Sequence, residues 1–245
     1  MSFSVEFLGI SGSIQDASGS NTSIIIRRDD SSVLVDVSGN LAEAVGLDDL
    51  RAIILTHEHI DHIYALPSLL HQLWLSGRKE PLLITASQHV LDIVSSMIDL
   101  FRIREKKGIF SIDLKVLGPF EVAGMEIVPF KTDHTSESYG IKAEADGRCL
   151  VYTSDTRPIK ECSILSSADV LITESSGLGC DEEMLTKKGH QSASDAAGLA
   201  VRLNAERLYL VHLPASSDRR KAISEEALKI FKASELPILL RKYEI

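Results

Sequence analysis

This chain has few cysteines and no long apolar run. These two features exclude a disulfide-built protein and a protein that spans a membrane with helices. Its 245 residues include 3 cysteines, Cys149, Cys162 and Cys180, which lie far apart and form no CxxC pair. Such a set does not build a disulfide framework and suits a reducing compartment. No segment approaches the roughly 18–20 uninterrupted apolar residues of a membrane helix, and the first residues lack the basic start of an export signal. We therefore expect a cytoplasmic protein that does not associate with membranes.

Positive charge is also in short supply. Lys and Arg total 26 against 35 Asp and Glu, which gives a formal net charge of −9. Non-specific binding to nucleic acid depends on many cationic contacts with phosphate, so the composition argues against a general nucleic-acid coat protein. Two short basic clusters, Arg102–Lys107 and Arg219–Lys221, still allow a local patch that binds anions.

Hydrophobic residues, in contrast, are ample for a core, since they make up 44% of the chain. Runs rich in β-branched residues predict strands, and longer periodic segments predict helices. The predicted strands are Ser4–Leu8, Thr22–Arg27, Ser32–Val37, Ala52–Leu55, Pro81–Thr85, Asp113–Leu117, Phe120–Val122, Met125–Lys131, Tyr139–Ala145, Cys149–Thr153, Val170–Thr173, Arg207–Val211 and Ile238–Leu240, and the predicted helices are Tyr64–Ser76, Ser87–Phe101, Ser192–Asn204 and Ser224–Ala233. We expect a single α/β domain, residues 1–245, in which helices cover two sheets as a four-layer αββα sandwich.

The densest group of chemically capable residues follows the predicted strand Ala52–Leu55. The sequence there is Thr-His-Glu-His-Ile-Asp-His, an HxHxDH pattern formed by His57, His59, Asp61 and His62. Imidazole and carboxylate groups are the ligands that hold zinc, manganese or iron in proteins. A loop that leaves a buried strand can direct its side chains toward two neighbouring cations, so this pattern predicts a metal centre.

Further candidate ligands stand just after predicted strands later in the chain, namely His134, Asp155 and His212. One such residue alone is more often a plain turn residue. Together with the HxHxDH residues, however, these three complete a set of seven. Seven ligands with one shared carboxylate fit two divalent cations, with zinc as the default and manganese or iron as alternatives because no thiolate enforces a soft site.

The order of these residues resembles the metallo-β-lactamase fold superfamily over nearly the whole chain, beginning at Phe7-Leu8-Gly9. The resemblance implies a first metal ion on His57, His59 and His134. It implies a second on Asp61, His62 and His212, with Asp155 bridging the two. The histidine at position 59 separates the chain from the flavodiiron branch, which has Glu there. True β-lactamases have Cys near the bridging position and an export signal, and we find neither feature in this sequence.

Within the superfamily, three segments resemble the ribonuclease Z branch. They are Val-Tyr-Thr-Ser-Asp-Thr-Arg-Pro at 151–158, Gly189-His190 before a small-residue helix, and Asn204-Ala205-Glu206 before the final histidine. Three sequences depart from the branch: Gly-His-Gln-Ser at 189–192 where it has His-Ser-Thr, Thr-Glu-Ser-Ser at 173–176 where it has His-Glu-Ala-Thr, and His-Leu-Pro at 212–214 where it has His-Phe-Ser.

A fourth departure concerns the protruding arm with which the ribonuclease grips tRNA. The branch places this arm between the third histidine and the bridging aspartate, which correspond here to His134 and Asp155. A predicted hairpin with its turn at 145–148 already occupies that interval. We therefore expect the arm to be absent from its usual place.

The resemblance implies a dinuclear metal-dependent hydrolase. Two cations that share Asp155 would lower the pKa of a bridging water, orient the resulting hydroxide for attack and stabilise charge on a phosphoryl or acyl oxygen. Asp61 can orient this water as well as bind metal. His190 is the candidate for protonating the leaving oxygen, with Glu174 as its orienting partner. Arg219 and Arg220, on a predicted loop after the last ligand, are candidates for holding a substrate phosphate.

The ribonuclease-like segments favour a phosphodiester substrate, and the missing arm and acidic charge favour a small or cyclic diester, or one derived from RNA, over tRNA. Two enzymatic alternatives stay open. One is a ribonuclease Z-type tRNA 3′ endonuclease, in which the basic cluster Arg102–Lys107 on the second copy in a homodimer would replace the arm. The other is a thioester or lactone hydrolase of the glyoxalase II type. A metal-stabilised scaffold without activity would have lost ligands, whereas all seven are present.

Overall fold

Two seven-stranded sheets dominate the computed structural model, which describes residues 2–15, 19–39, 41 and 49–245. The first sheet contains β1 (Phe3–Gly9), β2 (Ser23–Arg28), β3 (Ser31–Val35), β4 (Leu50–Ile54), β5 (Leu82–Ala86), β6 (Ile112–Val116) and β14 (Tyr243–Glu244). The second contains β7 (Phe120–Val122), β8 (Met125–Thr132), β9 (Ser138–Ala145), β10 (Arg148–Tyr152), β11 (Val170–Glu174), β12 (Arg207–Val211) and β13 (Ser234–Glu235). Their strand orders are β14-β1-β2-β3-β4-β5-β6 and β13-β12-β11-β10-β9-β8-β7.

Helices in the described residues are α1 (Ile60–Ile63), α2 (Leu66–Leu75), α3 (Gln88–Leu100), α4 (Glu182–Lys187), α5 (Ala193–Arg202) and α6 (Ser217–Ile230). None of them combines the length and the apolar character that crossing a membrane requires.

The hydrophobic core is divided into two clusters because the strands of the first sheet are apolar on both faces. In β2, Ile24 and Ile26 pack into the cluster between the two sheets, whereas Ile25 packs into a second cluster with the buried faces of α2 and α3. Helix α5 buries its alanines against the outer face of the second sheet. The predicted four-layer αββα sandwich is therefore confirmed.

Parallel strand pairs determine where functional side chains meet. Strands β3, β4 and β5 pair in parallel in the first sheet, as do β10, β11 and β12 in the second. The carboxyl ends of parallel strands lie at the same edge of a sheet, and polar residues that follow them are brought together there.

Most predicted elements are confirmed to within two residues, including the 145–148 hairpin. Its two turn residues, Asp146 and Gly147, have φ values of 54° and 77°, which match a two-residue turn of the mirror-image type.

Two predictions near the end of the chain are wrong. The helix expected at Ser224–Ala233 begins at Ser217, because the side chain of Ser216 accepts a hydrogen bond from the amide of Arg219 and caps the helix seven residues earlier. The strand expected at Ile238–Leu240 is a turn, with Leu240 at φ 61°, and the final strand is β14, which pairs with β1.

Candidate metal centre

Each candidate ligand stands just beyond the end of a strand or in the short helix that follows one. His57 comes shortly after β4, Asp155 after β10 and His212 directly after β12. Three residues at these strand ends, Asp36, Ser154 and His212, have φ values of 59°, 55° and 53°. Left-handed backbone at non-glycine residues is unfavourable and concentrates at functional sites. The fold thus accepts local strain to turn these side chains inward.

The structure brings all seven predicted ligands into one cluster. The seven fall into two groups of potential ligand atoms, each with its atoms within 4.8 Å of one another: His57, His59, His134 and Asp155, and then Asp61, His62 and His212. A third group of the same kind joins Asp155 and His212 to His190. Six of the seven are buried, and His59 is half-buried. The two groups draw on both sheets, so the cluster exists only in the folded sandwich.

Asp155 lies between the two groups. Its Oδ2 is 3.8 Å from Nε2 of His57 and 3.9 Å from Nε2 of His134 on one side. On the other side, the same oxygen is 3.6 Å from Nε2 of His62 and 3.2 Å from Nε2 of His212. One carboxylate therefore faces four imidazole nitrogens from both groups, which is the geometry expected of a shared ligand.

The donor atoms fit a divalent cation. Nε2 of His57, His62 and His212 and Oδ1 of Asp155 are buried without a hydrogen-bond partner, although buried polar atoms are normally paired. Around zinc with ligands at about 2.0–2.1 Å, tetrahedral geometry puts ligand atoms about 3.3 Å apart. The observed spacings of 3.2–3.9 Å are close to that value. The cluster is a divalent-metal site by the chemistry and the spacing of its donors.

A buried carboxylate from the first sheet, Asp36, supports two of the candidate ligands. Its Oδ2 accepts a hydrogen bond from Nδ1 of His62 at 2.7 Å and another from Oγ1 of Thr56 at 3.0 Å. Because the hydroxyl proton of Thr56 goes to Asp36, its oxygen accepts from Nδ1 of His57 at 2.9 Å. Both imidazoles therefore carry their proton on Nδ1 and turn Nε2 toward the cluster.

A second buried carboxylate, Glu174 at the end of β11, plays a comparable part in the second sheet. Its two oxygens lie 3.0 and 3.1 Å from Nδ1 of His190, and its Oε1 also accepts the amide of Thr156 at 2.6 Å. Burial would lower the pKa of His190, but the hydrogen bond and charge of Glu174 raise it above its usual value. The ring of His190 stacks beside that of His212, with centroids 5.1 Å apart.

The remaining ligands have lighter support. Nδ1 of His134 donates to the carbonyl of Gly189 at 2.7 Å, and its Nε2 is 3.2 Å from Nδ1 of His59. Gly189 has φ 84°, and a Cβ there would lie 2.7 Å from the His134 ring, so both backbone conformation and space require glycine. On the other side, Oγ of Ser13 donates to Oδ2 of Asp61 at 2.9 Å.

Concentrating these ionisable groups shifts their pKa values in opposite directions. Burial is the largest effect on His57 and His134 and lowers the pKa of both. Burial acts in the same direction on His62, but Asp155 and Asp36 outweigh it and raise its pKa well above the usual value. Burial alone would raise the pKa of Asp155, yet the neighbouring His212 and His62 bring it well below its usual range. A cation that binds here therefore displaces a proton from His62.

The predicted phosphate contacts, Arg219 and Arg220, lie on the first turn of α6 and not on a loop. Arg219 donates to Oδ2 of Asp181 at 2.6 Å, and Arg220 donates to the carbonyl of Pro214 and to Oγ of Ser11. Arg219 thus contacts the start of α4, and Arg220 joins the segments at Pro214 and Ser11. Their contact with a substrate phosphate stays a prediction.

Two departures from the ribonuclease Z pattern, Thr173 and Gln191, touch each other. Nε2 of Gln191 donates to Oγ1 of Thr173 at 2.6 Å and approaches the carbonyl of Glu174 at 3.3 Å. Both residues are buried. The two side chains therefore contact each other directly beside Glu174.

Sequence reasoning missed three supporting residues, Asp36, Thr56 and Ser176. Asp36 directly follows β3 in the structure. The predicted strand Ser32–Val37 contained it, so the rule that selected His134, Asp155 and His212 as residues after strands passed over Asp36. The hydroxyls of Thr56 and Ser176 carry no pattern of their own, because serine and threonine are common at strand ends.

Known proteins are similar to this chain in sequence over most of its length. A family model described as "Beta-lactamase superfamily domain" matches residues 33–213, a span that holds all seven candidate ligands. The chain is 23% identical to Ribonuclease Z of Picrophilus torridus over 287 aligned residues, which cover 96% of this chain and 93% of that protein. Because this alignment is longer than the 245 residues here, the relative contains insertions that this chain lacks.

Two solved structures have the same fold. The metallo-beta-lactamase fold protein YhfI from Bacillus subtilis superposes with a TM-score of 0.82 at 22% identity, covering 100% of both chains. Human tRNase Z, short form, superposes with a TM-score of 0.80 at 18% identity, covering 98% of both chains. The family match over most of the chain, together with this fold and its cluster of candidate metal ligands, identifies the protein as a member of the beta-lactamase superfamily and a metal-dependent hydrolase.

Proposed function

We propose that the chain is a phosphodiesterase that binds two divalent cations at this cluster and acts on a small or cyclic phosphodiester, or on one derived from RNA. The observation that carries the proposal is the position of Asp155, whose Oδ2 lies 3.2–3.9 Å from imidazoles of both groups. Similarity to a Ribonuclease Z over 96% of the chain adds support, because ribonucleases cleave phosphodiester bonds.

In this proposal, His57, His59 and His134 would hold one cation, Asp61, His62 and His212 would hold the other, and Asp155 would be shared. When bound, the cations supply Lewis-acid stabilisation of the phosphoryl oxygens and lower the pKa of the attacking water. Zinc is the expected metal, with manganese or iron as alternatives, because the donors are imidazole and carboxylate.

The chain's own groups complete the chemistry. Asp61, fixed by the hydroxyl of Ser13, both binds metal and accepts a hydrogen bond from the attacking water. His190 has its Nδ1 held by Glu174, which leaves Nε2 free to donate a proton to the leaving oxygen. Since Glu174 raises the pKa of His190, a larger fraction of this imidazole is protonated at neutral pH.

The choice of a small substrate rests on the segment between His134 and Asp155. The hairpin of β9 and β10 fills it, and their connection is only Asp146 and Gly147. The insertions in the aligned ribonuclease and the net charge of −9 here favour the same choice, since a tRNA needs many cationic contacts.

A ribonuclease Z-type tRNA 3′ endonuclease is the second candidate. It is favoured by one specific observation, the 96% coverage of this chain by a Ribonuclease Z. Under this alternative, a surface other than the arm has to hold the tRNA.

A substrate panel tests the proposal. Protein reconstituted with zinc or manganese is offered bis-p-nitrophenyl phosphate, 2′,3′-cyclic nucleotides, a precursor tRNA, a glutathione thioester, a lactone and a β-lactam. We expect turnover of the phosphodiesters and weak or no cleavage of the precursor tRNA. Protein carrying Asp155→Ala, purified in parallel, excludes a contaminating enzyme.

Other results would redirect the assignment. Efficient cleavage at the 3′ side of the tRNA acceptor stem would favour the endonuclease. Thioester or lactone turnover without phosphodiester turnover would favour a hydrolase of the glyoxalase II type.

A further inference from the structure

The hydroxyl of Ser176 occupies a position between a buried carboxylate and a candidate metal ligand. Ser176 follows Glu174 by two residues, just beyond the end of β11. Its Oγ lies 2.7 Å from Oε2 of Glu174 and 3.0 Å from Nδ1 of His212. The carbonyl of His212 is farther from the hydroxyl, at 3.4 Å. Two groups that act at the cluster are therefore joined through one side-chain oxygen.

The directions of these hydrogen bonds follow from the chemistry of the groups. An ionised carboxylate only accepts, so the single hydroxyl proton of Ser176 goes to Glu174. The serine oxygen then accepts from Nδ1–H of His212. This leaves the lone pair of the imidazole on Nε2, which is buried without a hydrogen-bond partner, 3.2 Å from Oδ2 of Asp155 and 3.5 Å from Oδ2 of Asp61.

The first sheet repeats the same arrangement with different residues. There, Asp36 accepts from Oγ1 of Thr56 at 3.0 Å, and that oxygen lies 2.9 Å from Nδ1 of His57. In each sheet, a carboxylate at a strand end orients a histidine through one hydroxyl. Because the same arrangement occurs twice in one site, we infer that the hydroxyl orients the histidine.

We propose that Ser176 is a positioning residue that fixes the tautomer and the ring orientation of His212 for metal binding by connecting it to Glu174. The proposal rests on the proposed function in taking His212 as a ligand of one of two cations, and it requires no particular substrate. Partners that orient a ligand in this way typically contribute about 10–100-fold to metal affinity.

The test compares Ser176→Thr with Ser176→Val, which have the same shape and differ in the hydroxyl. Threonine is the residue that the ribonuclease Z pattern has at this place. Zinc affinity is measured by competition with a chromophoric chelator, in the absence of substrate. We expect the valine variant to bind one of its two zinc ions about 10–100-fold more weakly than the threonine variant does. The other ion should keep its affinity.

Ser175→Ala serves as the matched control. Ser175 is the buried neighbour, and its Oγ has no hydrogen-bond partner, so we expect unchanged zinc affinity. Melting of the metal-free variants shows whether they fold, and the threonine and valine pair shares any packing defect. Equal zinc affinity for these two variants would overturn the proposal, whereas normal zinc binding in a protein that cleaves no phosphodiester would contradict only the proposed function.

Discussion

Two buried carboxylates, Asp36 beside the first sheet and Glu174 in the second, hold histidines at the same cluster but divide their contacts differently. Asp36 supports His62 directly and His57 through Thr56, and both histidines are candidate ligands. Glu174 holds His190 directly, and His190 is not one of the seven.

This difference teaches how one fold can separate metal binding from proton transfer. In the first sheet, the side-chain hydrogen bonds of the carboxylate lead only to candidate ligands, directly to His62 and through Thr56 to His57. The second sheet shares its carboxylate between the candidate acid His190 and, through Ser176, the ligand His212. Damage to Asp36 should therefore be repaired by added metal, whereas damage to Glu174 should not be repaired completely.

The largest effect is expected when the residue common to both sides is removed. Asp155→Ala takes away the carboxylate that faces both groups of imidazoles and leaves them to repel one another once protonated. Protein purified without chelator should hold about two metal equivalents, as expected of a two-metal site, and the variant close to none, with phosphodiester turnover at background. Elemental analysis measures the metal, and Asp92→Ala, an exposed aspartate on α3, is the control. Active wild-type protein with no metal would refute the two-cation site.

A smaller effect is expected from losing His190, the histidine that Glu174 holds and that has no counterpart beside Asp36. His190→Ala should lower kcat by about 10²–10⁴-fold, the usual contribution of a positioned acid or base, while metal content stays unchanged. Steady-state kinetics and elemental analysis on the same sample separate the two quantities. His71→Ala, on α2, controls for the loss of an imidazole elsewhere. Loss of metal in the His190 variant would make this residue a ligand.

Paired charge removal compares the two carboxylates directly. Asp36→Asn should weaken zinc binding by about 10–100-fold, and saturating zinc should recover most of the turnover. Glu174→Gln should weaken zinc binding through Ser176 and His212 and also lower kcat at saturating zinc, because His190 loses its anionic partner. Chelator competition and zinc titration of activity provide both readouts. Full recovery of both variants by zinc would show that the carboxylates are equivalent.

The sequence predicted which candidate ligands cluster but not which residues hydrogen-bond to them, for a physical reason. Histidine and aspartate in an HxHxDH pattern are rare, and strand ends in an α/β fold converge, so His134, Asp155 and His212 could be placed beside that pattern. The contact of Ser176 with His212 depends on how the turn after β11 orients the serine hydroxyl, and serine is a common residue in such turns. No periodicity in the sequence encodes that orientation.

Helix α6 illustrates the other limit of sequence analysis. Ser216 and Ser224 are both acceptable caps, and the polar segment between them has no strong apolar periodicity that would choose between the two. The structure chooses Ser216, which places Arg219 on the helix facing Asp181. Pairing across the fold, invisible in the local sequence, thus changed the expected environment of this arginine.

The smallest effect concerns the pH dependence of the metal-free protein, because the pKa values of the two histidines that Asp36 supports shift in opposite directions. Burial lowers the pKa of His57, whereas Asp155 and Asp36 raise the pKa of His62 in spite of its burial. A raised pKa adds stability that is complete below the unfolded value of about 6.5 and is lost as pH rises toward the folded value. A lowered pKa costs stability only below about pH 6.5, where the unfolded histidine takes up a proton and the folded one resists it.

Removing each histidine should therefore change stability in a different pH range. The loss of unfolding free energy caused by His62→Gln should be constant below about pH 6.5 and shrink above it, while that caused by His57→Gln should be constant above about pH 6.5 and shrink below it. Each slope is at most about 1.4 kcal/mol per pH unit. Urea unfolding with chelator present, at about pH 5.5, 6.5 and 7.5, measures both losses against wild type. If both losses shrink in the same pH range, the pKa values of these two histidines do not shift in opposite directions.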